Sequence, residues 1–342
     1  MLTKSIHSLN LIKAFFNMTN EGVGIVKKVL VFILSCTLFL SVFLMGTTVQ
    51  GDMVETAPQS YEYFENVQVS KIAFGVDRFS GALTEDGRLF MWGYNGAGQL
   101  GDGTTISKYI PLEITQNFGL AFREEIVEVD FGEQFSIALT SNARVFTWGD
   151  NDYYTLGNGS TVSESLPFDI TANFGLEEYD EIIDIQAGLY HSAALSSNGE
   201  VFTWGTNESG LLGDGTDTDQ WLPVNITDNL GLIGYEYVQK LSLGGTHTMA
   251  LTSEGRVLVW GENGDGQLGN NTTVSSFIPI DITSQFTLSE TDRIIEIVAG
   301  SYSSLALTYE GRVFTWGYNG GAELGDGTYV DKIVPNEITS GF

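Results

Sequence analysis

The chain has 342 residues and a formal charge of −28, with 41 Gly, 6 Pro and a single cysteine. That length suits one large β domain or two ordinary ones. The lone Cys36 excludes an intrachain disulfide and a cysteine-rich zinc site, and the acidic balance opposes phosphate backbones and anionic membranes, so nucleic acid is not an expected partner.

Residues 1–51 hold four Lys and one Glu, so the acidic excess lies beyond them. Lys27 and Lys28 precede the uncharged run VLVFILSCTLFLSVFLMG, residues 29–46, followed by a small-residue region at Thr47–Gly51. This pattern predicts an N-terminal hydrophobic helix that is either a cleaved secretory signal or a retained anchor. Cys36 lies inside the run, which does not suit a lipoprotein acceptor. In both readings the basic flank stays inside and the acidic body is exported, secreted or held at the cell surface, with membrane contact through this segment alone. Residues 52–65 read as a linker.

From residue 66 onward the chain repeats. WGYNGAGQLGDGT begins at Trp92 and returns in related form at Trp148, Trp204, Trp260 and Trp316, each 56 residues after the last. A fixed period of this length marks a repeat architecture. The units divide as 66–121, 122–177, 178–233, 234–289 and 290–342. The third shows the plan. EIIDIQAG (181–188) alternates Ile183, Ile185 and Ala187 on one face, as a half-buried strand does. HSAALSS (191–197) and VFTWG (201–205) flank Asn198-Gly199, the signal for a type I′ hairpin. LPVNIT (222–227) follows a Gly-rich link, and its Pro suits an edge strand. Pro111, Pro167, Pro223, Pro279 and Pro335 all share that position. The second unit has Asn142-Ala143 where the others place Gly in the hairpin.

Four short local strands per unit cannot bury both faces of one sheet, whereas radial stacking does. The expected fold is therefore all-β: a β-propeller of four-stranded antiparallel blades with five repeats and almost no helix after residue 50. Trp92, Trp148, Trp204, Trp260 and Trp316 are expected to pack between blades, each burying roughly 150–250 Å², worth at most about 4–6 kcal/mol.

These residues resemble the repeats of the regulator of chromosome condensation family. Unit three carries Gly188, His191, Ser192, Leu195, Gly199, Trp204, Gly205, Asn207, Gly210, Leu212 and Gly213, and unit four carries the matching set from Gly244 to Gly269. The resemblance covers roughly residues 66–342. It implies a seven-bladed ring, of which five repeats are visible, and a founding activity of nucleotide exchange on a small nuclear GTPase with chromatin binding. The family's exchange element is an extra β insertion, for which the constant Trp interval leaves no room. The family His is replaced by Phe79, Phe135 and Ser303 in three units, so His191 and His247 read as structural.

No catalytic constellation emerges. Three His and one Cys leave no triad or zinc set. The Gly-rich loops lack the Lys and the strand-to-helix context of a phosphate loop. Asp214, Asp217 and Asp219 do not have calcium-loop spacing. Asp102, Asp214 and Asp326 share an offset with Asn158 and Asn270 and read as turn residues. The expectation is a non-enzymatic module without cofactor or metal that binds a protein or cell-surface ligand. An exchange-type regulator and a secreted enzyme inhibitor are the alternatives implied by the resemblance.

Partner contacts are expected on loops. One variable set is Tyr94, Asp150, Thr206, Glu262 and Tyr318. The second is Tyr109, Ser165, Trp221, Phe277 and Ile333, following the GDGT element. The candidate binding residues are Trp221, Tyr94, Tyr318, Tyr109 and Phe277, with Trp221 either a binding anchor or a packing contact near the Pro223 strand.

Overall fold

A computed structural model of the chain describes residues 68–339. The hydrophobic segment 1–51 and the linker 52–65 lie outside the described residues, as do any signal or anchor within them. Among the described residues no helix is long and apolar enough to cross a membrane.

Each repeat is one four-stranded antiparallel meander. Blade one contains β1 (Val69–Gly75), β2 (Phe79–Thr84), β3 (Leu89–Gly93) and β4 (Lys108–Glu113). Blade two contains β5 (Ile126–Phe131), β6 (Phe135–Thr140), β7 (Val145–Gly149) and β8 (Glu164–Asp169). Blade three contains β9 (Ile182–Ala187), β10 (His191–Ser196), β11 (Val201–Gly205) and β12 (Gln220–Asn225). Blade four contains β13 (Val238–Leu243), β14 (His247–Thr252), β15 (Val257–Gly261) and β16 (Ser276–Asp281), and blade five contains β17 (Ile294–Ala299), β18 (Ser303–Thr308), β19 (Val313–Gly317) and β20 (Lys332–Glu337). The first strands of successive blades lie against one another. The last strand of each blade is an edge strand and carries the repeated Pro, which needs no ladder donor there. Among the described residues helix is limited to short 3-10 turns such as Thr115–Phe118.

Among the described residues the core is four apolar clusters, one per joint between blades. At the joint of blades three and four, Ala193, Leu195, Val201, Ile226 and Leu230 meet Val238, Leu241, Ala250, Leu258 and Trp260. The other three joints repeat this set. Trp148, Trp204, Trp260 and Trp316 are fully buried. Each lies over a glycine of the preceding blade: Gly101, Gly157, Gly213 and Gly269. A Cβ at those glycines would come within 2.7–2.8 Å of the indole nitrogen, which explains the Leu-Gly that ends each Trp motif. The Nε1–H of Trp148, Trp204 and Trp316 donates to the carbonyls of Gln99, Thr155 and Gln267, each at 2.9 Å. Trp260 keeps the packing, but its Nε1 has no acceptor among the described residues.

Four sequence expectations need correction. Trp92 is not an interblade residue of this kind: no described blade precedes it, and it is only half-buried. The Asn198-Gly199 hairpin is not type I′. Gly199 N–H donates to the Ser196 carbonyl, and only Gly199 has positive φ, at +84°, so a type I turn is followed by one left-handed residue. Ile183 does not share a face with Ile185. A register shift near Ile182 turns Ile182 into the core beside Ile185 and leaves Ile183 53% exposed. Tyr109, Trp221 and Phe277 lie on the edge strands β4, β12 and β16, not on loops, because the chain re-pairs with the third strand directly after the GDGT turn. The first unit has one more residue between Gly75 and Phe79 than the second has between Gly132 and Phe135, and Arg78 at φ +61° accommodates it.

Candidate interaction face

In a meander, the loop from first to second strand and the segment after the third strand emerge at one end. Backbone bonds join them in every blade. Tyr94, Asp150, Thr206, Glu262 and Tyr318 donate their N–H to the carbonyls of Arg78, Gln134, Tyr190, Thr246 and Tyr302, at 2.9–3.0 Å. The first variable set therefore lies on one face, with Tyr94 and Tyr318 each 40% exposed.

A buried asparagine holds each of these segments. Asn95 Nδ2 donates to Asp102 Oδ1 and to the carbonyls of Thr104 and Ile106, while its Oδ1 accepts from Leu100 N–H. Asn151, Asn207, Asn263 and Asn319 repeat the clamp. Asp and Asn interchange at the acceptor position because both offer an Oδ1. The choice tracks the first residue of the edge strand. Asp102 and Asp326 accept from Lys108 and Lys332 at 2.7 and 2.9 Å, and Asp214 accepts from Gln220 at 2.8 Å. Asn158 and Asn270 stand where that strand begins with Glu164 and Ser276. Burial works against the Asp102 carboxylate, but Lys108 and Thr104 hold it below the usual range. The Lys332 bond does the same for Asp326. These are structural turns, and among the described residues no group of acidic, His or Cys side chains is arranged to hold a metal.

The structure adds aromatic residues that the sequence reading missed. Tyr153 packs on Tyr190 with centroids 4.5 Å apart, and Tyr302 packs edge-on to Tyr318 at 6.4 Å. Tyr190 and Tyr302 share a repeat offset, so a column-by-column reading of the loop before the family His would have found them. The Tyr190 phenol donates to Glu133, which with partial burial pushes it up to about 12.

The second variable set packs across the joints against the preceding blade. Trp221 of β12 stacks on Tyr154 of blade two, centroids 5.0 Å apart and planes 8° from parallel. Its carbonyl accepts from Gly159 N–H at 3.0 Å. Phe277 accepts likewise from Gly215 at 2.8 Å. Both residues are thus parts of joints, 49% and 40% exposed, while Tyr109 is 96% exposed. Between blades one and two, an open depression of about 520 Å³ is lined by Tyr94, Gln134, Asp150, Asp152 and Ser165, among others, and by no basic side chain. Burial and the neighbouring Asp152 raise the Asp150 pKa, which a bound cation would relieve.

His191 and His247 are buried at the joints. Their Nε2 atoms meet Thr248 Oγ1 at 2.9 Å and Ser304 Oγ at 2.7 Å on the following blade. Burial pushes them down to about 3 and about 4. They are neutral and enclosed, as the sequence reading expected of structural histidines.

Known proteins resemble the chain throughout the blades. The model of the RCC1-like domain matches residues 36–342. The mitochondrial RCC1 domain-containing protein RUG3 of Arabidopsis thaliana is 32% identical over 272 residues, covering 78% of this chain and 58% of the relative. The ultraviolet-B receptor UVR8 of the same plant is 28% identical over 281 residues, covering 82% and 60%. The chain thus spans about three fifths of the length of these curated relatives. Among solved structures, human WBSCR16 matches with a TM-score of 0.68 and 26% identity, covering 80% of this chain and 67% of that one. Prp20p of Saccharomyces cerevisiae shares the fold at a TM-score of 0.52 and 18% identity, covering 79% and 76%. With its blades, its repeated Trp motif and these relatives in agreement, the chain belongs to the RCC1-like domain family.

Proposed function

We propose that this chain is an exported, non-enzymatic interaction module that docks a cationic segment of a protein partner on the tyrosine-bearing face. The observation that carries this reading is the depression lined by Tyr94, Asp150 and Asp152 without a basic side chain. A lysine or arginine head would pair with the carboxylates while its stem or plane packs on the tyrosines. The formal charge of −28 steers such a partner toward the protein. The yeast structure of the same fold is described with binding to Gsp1p and histones, which favours a protein as the partner class. The export reading rests on Lys27, Lys28 and the apolar run at 29–46.

The test is binding of a fluorescent Lys- and Arg-rich peptide, with an acidic peptide of equal length as control. We expect salt-sensitive binding of the basic peptide alone. Asp150→Asn together with Asp152→Asn should weaken it about tenfold, or about 1.4 kcal/mol. Equal binding of both peptides, or an unchanged affinity in the double variant, would overturn the reading. Fusing residues 1–51 to a reporter tests export separately, and retention of the fusion in the cytosol would count against it.

A further inference from the structure

Among the described residues the joint between blades is built four times, and the two halves of a fifth joint are exposed on blade one and blade five. On blade one, strand pairing places Ile72 opposite Ala82 as Val129 is opposite Ala138, so Val69, Ile72 and Phe74 are the equivalents of Ile126, Val129 and Phe131. Those counterparts are 2%, 0% and 5% exposed, whereas Val69, Ile72 and Phe74 are 44%, 65% and 58% exposed. On blade five, Leu305, Leu307 and Val313 are half-buried, while the equivalents Met249, Leu251 and Val257 are at most 2% exposed.

The polar halves are open in the same complementary way. Within the stack, the Ser136, Ser192, Thr248 and Ser304 hydroxyls donate to the same preceding-blade carbonyl position that takes the Trp indoles. On blade one, Ser80 and Trp92 occupy these donor positions and have no acceptor among the described residues. Blade five presents the missing acceptor, the Glu323 carbonyl, at the position of Gln99, Thr155 and Gln267, and Glu323 is exposed where those three are buried. The outer bond is reversed in sense. Gly103, Gly159 and Gly215 donate N–H to the edge strand of the next blade, at Ser165, Trp221 and Phe277. Gly327 N–H, at the same position on blade five, has no such acceptor among the described residues, and the Tyr109 carbonyl is the equivalent acceptor position on blade one.

We propose that this chain associates head to tail, the blade-five face of one copy seating on the blade-one face of a second copy and reproducing the internal joint. A second copy satisfies both described faces with one contact, because each face carries the half-joint that the other lacks. The two surfaces are different patches, so the contact is heterologous and propagates until a ring closes or a filament forms. The apolar faces drive it and the net charge of −28 opposes it, so added salt strengthens it by screening.

The test uses the purified full chain in one detergent-containing buffer, by sedimentation from nanomolar to high-micromolar concentration. Wild type should form a concentration-dependent series of oligomers that grows with salt. Ile72→Asp blocks only the blade-one face and Leu307→Asp only the blade-five face, with Phe74→Asp and Leu305→Asp as second variants at each end. Circular dichroism and melting confirm that each stays folded. Each variant alone should lose on the order of 100-fold in association and remain monomeric. An equimolar mixture of Ile72→Asp and Leu307→Asp should give a 1:1 dimer and nothing larger, because one good face survives on each. Three results would overturn the proposal: a wild type that stays monomeric throughout, a mixture that stays monomeric, or either variant dimerising by itself. A monomeric wild type whose melting temperature falls with Ile72→Asp would place the cover of that face within the chain itself.

Discussion

Blades one and three are the same sequence motif in two environments. Trp204 is fully buried over Gly157, with its indole bonded to Thr155. Trp92, at the same repeat position, is half-buried without an acceptor among the described residues. Ile185 is fully buried while its equivalent Ile72 is 65% exposed. The strands and their pairing are unchanged, so local pattern makes the blade. The neighbouring blade makes the core. Stability in such a stack is a sum of blade and nearest-neighbour terms.

The largest expected effect tests this contrast directly. Trp204→Ala should cost about 4 kcal/mol through the cavity and the lost indole bond, and Trp92→Ala about 2 kcal/mol or less in the monomer. Equal losses in denaturant titrations would break the comparison. A second contrast separates the joints that carry His from those that carry Phe79 and Phe135. His191 and His247 lie below their ordinary value near 6.5, so the unfolded chain takes up protons first. Their contribution is complete above pH about 6.5 and is lost as pH falls toward 4 and 3. Between pH 7 and 5 the pair should remove roughly 3–4 kcal/mol. Replacing both with Phe, as in blades one and two, should flatten that dependence. An unchanged pH slope would show that the carboxylates alone set it.

Trp221 sharpens the contrast between joint and face. Stacked on Tyr154, it should cost about 1–2 kcal/mol of stability when changed to Ala. If stability is unchanged and partner binding falls, Trp221 is an anchor for the partner and not a joint residue. The smallest effect is at a hairpin. Ala143 has φ +58° where Gly87, Gly199, Gly255 and Gly311 have +73° to +84°. Ala143→Gly should stabilise by about 0.5–1 kcal/mol, since the left-handed region strains a Cβ. A measured loss would mean that unfolded-state entropy outweighs the relief of strain.

The blades were legible because a 56-residue period, alternating strands and turn residues all agree. The hairpin type was not, because Asn-Gly suits two turns and only the ladder decides between them. The bulge near Ile182 was hidden by an apparent Ile183–Ile185–Ala187 alternation that one inserted residue defeats. Repeat columns also treat Trp92 and Trp204 as equal, since a column records the residue and not what packs against it. Tyr94 and Tyr318 stand out as candidates by their shared offset, and Tyr190 and Tyr302 share another offset that carries the same kind of signal. That Asp102 goes with Lys108 while Asn158 goes with Glu164 at the same offsets was likewise visible, yet it gains meaning only when Lys108 is seen to bond Asp102 across the turn.

Hydroxyl-radical footprinting of the full chain at high dilution, read tryptophan by tryptophan, is the most direct test that internal joints are closed and terminal faces open. Trp92 and Trp221 should react, while Trp148, Trp204, Trp260 and Trp316 should remain protected. Protection of Trp92 equal to that of Trp204 in the monomer, or reaction at Trp204, would contradict the account.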